Sequence, residues 1–90
     1  MKRLDLHDQR HLEAAQGWCE LGNHLEANEE LENITAENRA HPAVLEVRWQ
    51  IYAKAKKWEG ALHIASALAQ SVPEQPLGWV HRSYCLHELK

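Results

Sequence analysis

Apolar residues recur every three or four positions over residues 58–72, and this spacing constrains the fold more than any other feature of the sequence. Residues spaced in this way lie along one side of an α-helix, whereas a strand would scatter them over both of its faces. The segment is therefore predicted to be a helix that buries a single stripe. Its members are Trp58, Ala61, Leu62, Ala65, Leu68, Ala69 and Val72.

Residues 42–55 predict a second helix, which forms a hairpin with the first. Pro42 suits the opening turn because its fixed φ is already helical. Lys54, Lys56 and Lys57 gather where this helix should end, and cations complement the carbonyl-rich end of a helix. The apolar positions between these signals are Val44, Leu45, Trp49, Ile51, Tyr52 and Ala55.

The flanking segments predict three more helices and hence an all-α fold of antiparallel helical hairpins. An upstream stripe stops at Gly22, which suits the left-handed conformation that closes helices. Asn23 can cap the next helix, with Glu26 three residues later. After a linker, Pro76 opens a fifth helix. The upstream apolar positions are Leu12, Ala15, Trp18 and Leu21 in one helix and Leu25, Leu31 and Ile34 in the other.

Composition excludes two classes of partner. Ninety residues make one domain, and a formal net charge of −3 does not provide the concentrated basic surface that a nucleic-acid partner requires. No run of about 18 apolar residues predicts a membrane span, and no apolar run of a signal peptide follows Met1. We therefore expect a cytoplasmic protein that binds neither nucleic acid nor membrane, with Cys19 and Cys85 as free, partly buried thiols.

The predicted helices repeat at an offset of 34 residues. An all-helical period of 34 resembles the tetratricopeptide family, whose pattern is W-x2-L-G-x2-Y, then A-x3-F, then P. Tyr52, Ala61 and Pro73 match this pattern, and Ala15 and Ala27 are small residues where the first two helices should touch. The offset pairs Gln16 with Gln50, Ala27 with Ala61, Ile34 with Leu68, Pro42 with Pro76, and Arg48 with Arg82.

The resemblance implies one domain over residues 1–90, built as a short right-handed superhelix of units 8–41, 42–75 and 76–90. The first two units are complete hairpins, and the third supplies only its first helix. Trp49 departs from the family because a small residue is usual there, and Arg39 replaces the proline that should end the first unit. An unrelated bundle of antiparallel helices is the alternative, because short loops between helices give the same pattern.

The resemblance also implies a function in binding a peptide or another protein. In the family, the first helix of each hairpin lines a concave groove, and the best-known groove grips a peptide carboxylate with Lys, Arg and Asn. Those residue types do not occupy the corresponding places here, so no carboxylate clamp is expected. Carried over by the offset, the groove positions are Leu12, Gln16, Glu20, Glu46, Gln50, Lys54, Val80, Tyr84 and His87.

The chemistry of these groove positions predicts a mixed preference. Gln16 and Gln50 are expected to bind backbone amides, and Tyr84 with Val80 to make an apolar contact. The two glutamates of the set are expected to disfavour acidic peptides. The simpler alternative is that all of these positions are ordinary exposed helix surface.

Self-association through the last helix is a second functional hypothesis. A single repeat cannot bury its apolar face alone, and terminal repeats usually need a polar cap. Trp79, Leu86 and Leu89 would stay available where a second helix should pack. This predicts either a fragment of a longer repeat array or a homodimer that pairs these helices.

The sequence predicts no catalytic residue and no cofactor. No Ser or Cys has the base and oxyanion donors that a nucleophile needs. The pairs His7 with His11 and His81 with Cys85 can each share a helix face, but neither has a third ligand nearby, so metal binding is only a lesser hypothesis. Three of the four tryptophans lie on apolar stripes and are expected to pack in the core, namely Trp18, Trp49 and Trp58.

Overall fold

The computed structural model describes residues 3–90, and this part of the chain contains five α-helices and no strand. Consecutive helices joined by short loops pack against each other as antiparallel neighbours, which confirms the predicted all-α fold. A 3₁₀ turn, Ala36–Asn38, lies before the third helix. No helix in the described chain is long and apolar enough to cross a membrane. The helices are α1 (Leu6–Glu20), α2 (His24–Glu32), α3 (Pro42–Lys54), α4 (Trp58–Ser71) and α5 (Pro76–Glu88).

Local signals in the sequence set several helix boundaries. Pro42 and Pro76 are the first residues of α3 and α5, as predicted. The Asn23 side chain caps α2 by accepting a hydrogen bond from the Glu26 N–H at 3.3 Å. At the other end of α2, the Arg39 guanidinium donates to the Glu32 carbonyl at 2.7 Å, which satisfies a helix-end acceptor. Arg39 thus has a capping role at the position where the family has proline.

The turn after α1 and the turn after α3 have the same backbone geometry, 34 residues apart. In the first, Gly22 has a φ of +78° and Asn23 N–H bonds to the carbonyl five residues earlier at 2.9 Å. In the second, Lys56 has a φ of +60° and Lys57 N–H makes the equivalent bond, also at 2.9 Å. Both are helix ends closed by one left-handed residue. The starts of α2 and α4, and the ends of α1, α3 and α5, also differ by 34 or 68 residues.

Two clusters of buried side chains form the core. The larger joins α1, α2 and α3, and the smaller joins α3 to α4 through Leu45, Leu68 and Val72. Helix α5 is held by close backbone approach, because a Cβ added at Gly78 would lie 2.5 Å from the Ala69 nitrogen. The larger cluster consists of Leu12, Ala15, Cys19, Ala27, Leu31, Ile34, Val44, Val47 and Ile51.

The prediction that Trp18 packs in the core is wrong, since 37% of its surface is exposed. The buried stripe of α1 runs through Leu12, Ala15 and Cys19, so Trp18 lies about 100° away from its neighbour Cys19 around the helix. Leu25, assigned to the apolar stripe of α2, is 74% exposed for the same reason. The phase of a weakly amphipathic helix depends on where its partners lie. Trp49 and Trp58 are half-buried, so the core prediction holds for them only in part.

Candidate functional site

The first helices of the hairpins, α1, α3 and α5, lie side by side. Lys54 Nζ donates a hydrogen bond to the Cys19 carbonyl at 3.3 Å, which joins α3 to α1. The Glu46 carboxylate lies 2.8 Å from His81 Nε2, which joins α3 to α5. These contacts make one continuous surface, which we call the three-helix face. Its polar and apolar members on the described chain are Gln16, Glu20, Glu46, Gln50, Lys54, Val80, Tyr84 and His87.

The junction between α3 and α5 is built on a stacked pair of rings. The Trp49 indole and the His81 imidazole are 3.6 Å apart between centroids and only 10° from parallel. Trp49 Nε1 also donates to the Cys85 Sγ at 3.3 Å, and Cys85 is fully buried. The ring that replaces the small residue of the family pattern therefore fastens α5 to α3. The prediction that the Cys85 thiol is free is confirmed.

Glu46 is a half-buried carboxylate with neighbours on two helices. Besides His81, it accepts a hydrogen bond from Gln50 Nε2 at 3.1 Å. The two predicted groove residues Glu46 and Gln50 are thus brought together, with His81 as a third member that the groove prediction left out. Both oxygens of the carboxylate are engaged, so its charge faces α5 more than it faces solvent.

An apolar area lies where α5 forms the edge of the three-helix face. Val80 is 59% exposed and Tyr84 is 51% exposed. The Tyr84 ring packs against Trp58 at 5.4 Å and edge-on to Trp49 at 6.4 Å between centroids. One ring edge is therefore fixed by tryptophans while about half of the side chain stays open to a ligand, a combination typical of aromatic binding contacts.

The contribution of α1 to the three-helix face is polar. Gln16 and Glu20 are exposed, but Leu12 is only 5% exposed and belongs to the core, so its assignment to the groove was wrong. Helix α3 covers Leu12 because α1 turns its buried stripe toward it. Cys19 is buried as well, and this burial raises the pKa of its thiol. His87 is exposed near the end of α5.

The three residues predicted for self-association lie on a different side of α5. Trp79, Leu86 and Leu89 are between 40% and 47% exposed. Trp79 keeps one polar contact, in which its Nε1 donates to the Pro73 carbonyl at 3.2 Å. Val80 and Tyr84 are spaced four apart and Trp79 and Leu86 seven apart, so the two sets form separate stripes of one helix.

A buried carboxylate that the sequence analysis missed holds α1 to the segment before α3. Asp8 is fully buried and accepts hydrogen bonds from Asn38 Nδ2 at 2.7 Å, from Thr35 N–H at 2.9 Å and from Thr35 Oγ1 at 3.1 Å. The Asn38 amide, followed by the Thr35 N–H, holds the pKa of Asp8 below its usual range. In the sequence, Asp8 resembles only another polar residue in a first helical turn.

The histidine pairs have other contacts. His7 Nε2 lies 3.2 Å from the Asn33 carbonyl, and His11 Nδ1 lies 3.2 Å from the Glu30 carboxylate. The other proposed pair, His81 and Cys85, faces α3 through the contacts described above. Among residues 3–90 no group of three or more His, Cys, Asp or Glu side chains is placed to hold a metal ion.

No family model, curated protein or solved structure matches this chain. The grounds for a functional assignment are therefore its own geometry, namely the 34-residue spacing of its helices and turns and the three-helix face.

Proposed function

We propose that the chain is a tetratricopeptide-like interaction module that binds a segment of another polypeptide on the three-helix face. The observation that carries the proposal is the 34-residue repetition of helix boundaries and turn geometry. Repeats of that length stack so that equivalent helices form one extended binding surface. Equivalent positions of α1, α3 and α5 are here joined by the contacts of Lys54 and His81.

The chemistry of the three-helix face changes from one edge to the other. Its α1 edge offers the amide of Gln16 and the carboxylate of Glu20, both exposed. Its α5 edge offers Val80 and Tyr84, which are more than half exposed. The preferred ligand is therefore a segment that places an apolar side chain on α5 and donor or basic groups near α1. Because Glu46 is engaged by its neighbours, Glu20 is the acid that discriminates between ligands.

A peptide library displayed on phage and selected on the chain tests this proposal. Selected peptides, resynthesised with a fluorophore, should bind with dissociation constants on the order of 1–100 µM, the affinity of a small contact surface. Tyr84→Ala should weaken binding roughly tenfold, the effect of removing one aromatic anchor. Leu25→Ala is the matched control, because Leu25 is 74% exposed on α2, outside the three-helix face.

The charge preference is tested with a second variant. Glu20→Lys should weaken the binding of selected basic peptides and improve that of acidic versions of the same peptides. The assignment of the binding surface is wrong if Tyr84→Ala and Glu20→Lys bind as the parent chain does, or if Leu25→Ala loses binding to the same extent as Tyr84→Ala.

A further inference from the structure

Helix α5 exposes a stripe that is equivalent to the face by which α3 packs on α4. At the 34-residue offset, Leu45 and Tyr52 of α3 correspond to Trp79 and Leu86 of α5. Leu45 lies in the core beside α4, and the Tyr52 ring lies so close to Gly60 that an added Cβ would be 2.6 Å from it. We call the α5 equivalent the outer stripe, and within residues 3–90 no helix covers it. It consists of Trp79, Arg82, Ser83, Leu86, Leu89 and Lys90.

Two concavities extend the outer stripe at the two ends of α5. Near the start of the helix, Trp79 and Arg82 border a cavity of about 310 Å³ whose other wall is formed by α4 residues. Near its end, Leu89 borders a cavity of about 380 Å³ with Lys56, Lys57 and Trp58. The exposed apolar side chains thus lie between two recesses, a shape that suits a helix laid along α5 and inserting side chains at both ends.

Charge along this surface is complementary to itself when the surface is reversed. Glu74 is exposed just before α5, at the first recess. Lys56 and Lys57 line the recess at the far end, and Lys90 follows the end of the helix. One glutamate, Glu59, also lines that recess, so lysines predominate there by two to one. An antiparallel copy of α5 would bring its own Glu74 to these lysines, and the contact would occur twice.

The apolar side chains also match in this antiparallel arrangement. A twofold axis between positions 82 and 83 places Trp79 of one copy opposite Leu86 of the other, and the same pair recurs on the far side of the axis. Ser83 lies beside the axis, where a small side chain lets two helices approach closely. This pairing is isologous, because the same patch serves both copies and closes the assembly at two.

We propose that the outer stripe of α5 binds the outer stripe of a second copy of this chain in an antiparallel twofold dimer. The second copy covers Trp79 and Leu86 and pairs its Glu74 with the lysines of the far recess. Val80 and Tyr84 lie on another side of α5, so the three-helix face remains open in both copies. Dimer formation and peptide binding are therefore separate properties, and either can fail without the other.

Sedimentation equilibrium of the full chain over a range of concentrations tests the dimer. The parent chain should approach twice its mass of 10.4 kDa as concentration rises. Leu86→Glu should raise the dimer dissociation constant by about 100-fold or more, because it would bury two unpaired charges in the symmetric interface. Leu25→Glu, which places the same change on an exposed leucine of α2, should leave the dimer intact.

Two substitutions at Ser83 keep the test independent of folding defects. Ser83→Gln places a good helix former at an exposed helical position, so helix content by circular dichroism should be unchanged while dimerisation weakens. Ser83→Cys should form a covalent dimer under mild oxidation that a reducing agent reverses. The parent chain should not form it, because its cysteines Cys19 and Cys85 are buried.

Charge reversal tests the antiparallel direction. Glu74→Lys and Lys57→Glu should each weaken the dimer, and the double variant should restore it, because the pair is exchanged on both sides of the axis. The proposal is overturned if the parent chain is a monomer at every concentration, which would leave the stripe to a different partner. It is equally overturned if the chain dimerises but Leu86→Glu and Ser83→Gln have no effect.

Discussion

Gly78 should tolerate alanine poorly, although alanine is the better helix former. Added at Gly78, a Cβ would lie 2.5 Å from the Ala69 nitrogen, 2.7 Å from the Ala69 Cα and 3.0 Å from the Leu68 carbonyl carbon. These are backbone atoms of α4, so no side-chain rotation can relieve the overlap and the two helices must separate. Overpacking of this kind costs about 1–3 kcal/mol, and the gain in helix propensity recovers up to about 1 kcal/mol.

The net expectation for Gly78→Ala is a loss of about 1–2 kcal/mol, which lowers the melting temperature of a domain of this size by roughly 5–15 °C. Gly17→Ala is the matched control, because nothing lies within 4 Å of a Cβ added there in α1. It should raise stability by about 0.5–1 kcal/mol through propensity alone. Thermal unfolding followed by circular dichroism at one fixed protein concentration measures both. If Gly78→Ala were as stable as Gly17→Ala, the close packing of α4 on α5 would be refuted.

Three further predictions follow from contacts within the fold. Asp8 stabilises the fold fully above its ordinary pKa of 3.8 and loses that contribution as the pH falls through its lower folded-state pKa; Asp8→Asn should therefore be less stable at neutral pH and show a flatter fall of the urea midpoint below about pH 4. His81→Phe keeps a ring on Trp49 but leaves a half-buried carboxylate without its partner, and should cost about 1 kcal/mol in urea unfolding. Gly22→Ala should destabilise by about 1 kcal/mol and Lys56→Gly should stabilise by up to that amount, because both positions have positive φ; equal signs in thermal unfolding would contradict this.

The helix boundaries could be predicted because their determinants are local. Pro42 and Pro76 fix φ at the first turn, and Gly22 and Asn23 close one helix and cap the next within two residues. Such signals depend on the backbone alone and not on the rest of the fold. The offset of 34 was visible for the same reason, since helix starts and turns carry it. Lys56 shows the limit, because it takes the conformation of Gly22 without being glycine.

The burial phase of the first two helices could not be read from sequence. Trp18 and Cys19 are neighbours in α1, yet only Cys19 is buried. Rotating α1 by one residue would reverse that choice, and the energy difference is decided by α2 and α3, not by α1. The contacts of Asp8 with Thr35 and Asn38 span 27 and 30 residues, so no local pattern indicates them. The stacking of Trp49 on His81 is equally distant in sequence.

Helix α5 carries residues of both proposed surfaces, and its anchoring therefore determines whether they can be separated. Gly78 holds it against α4, and His81 and Cys85 hold it against α3, so one side of the helix is committed to the fold. The remaining circumference is shared between the stripe with Tyr84 and the stripe with Leu86. A substitution that shifts α5 as a whole, such as Gly78→Ala, should weaken peptide binding and dimerisation together. Tyr84→Ala and Leu86→Glu should each abolish one and spare the other, because their side chains share no contact with a common ligand. A chain in which the two surface variants impaired both properties equally would have one binding surface and not two.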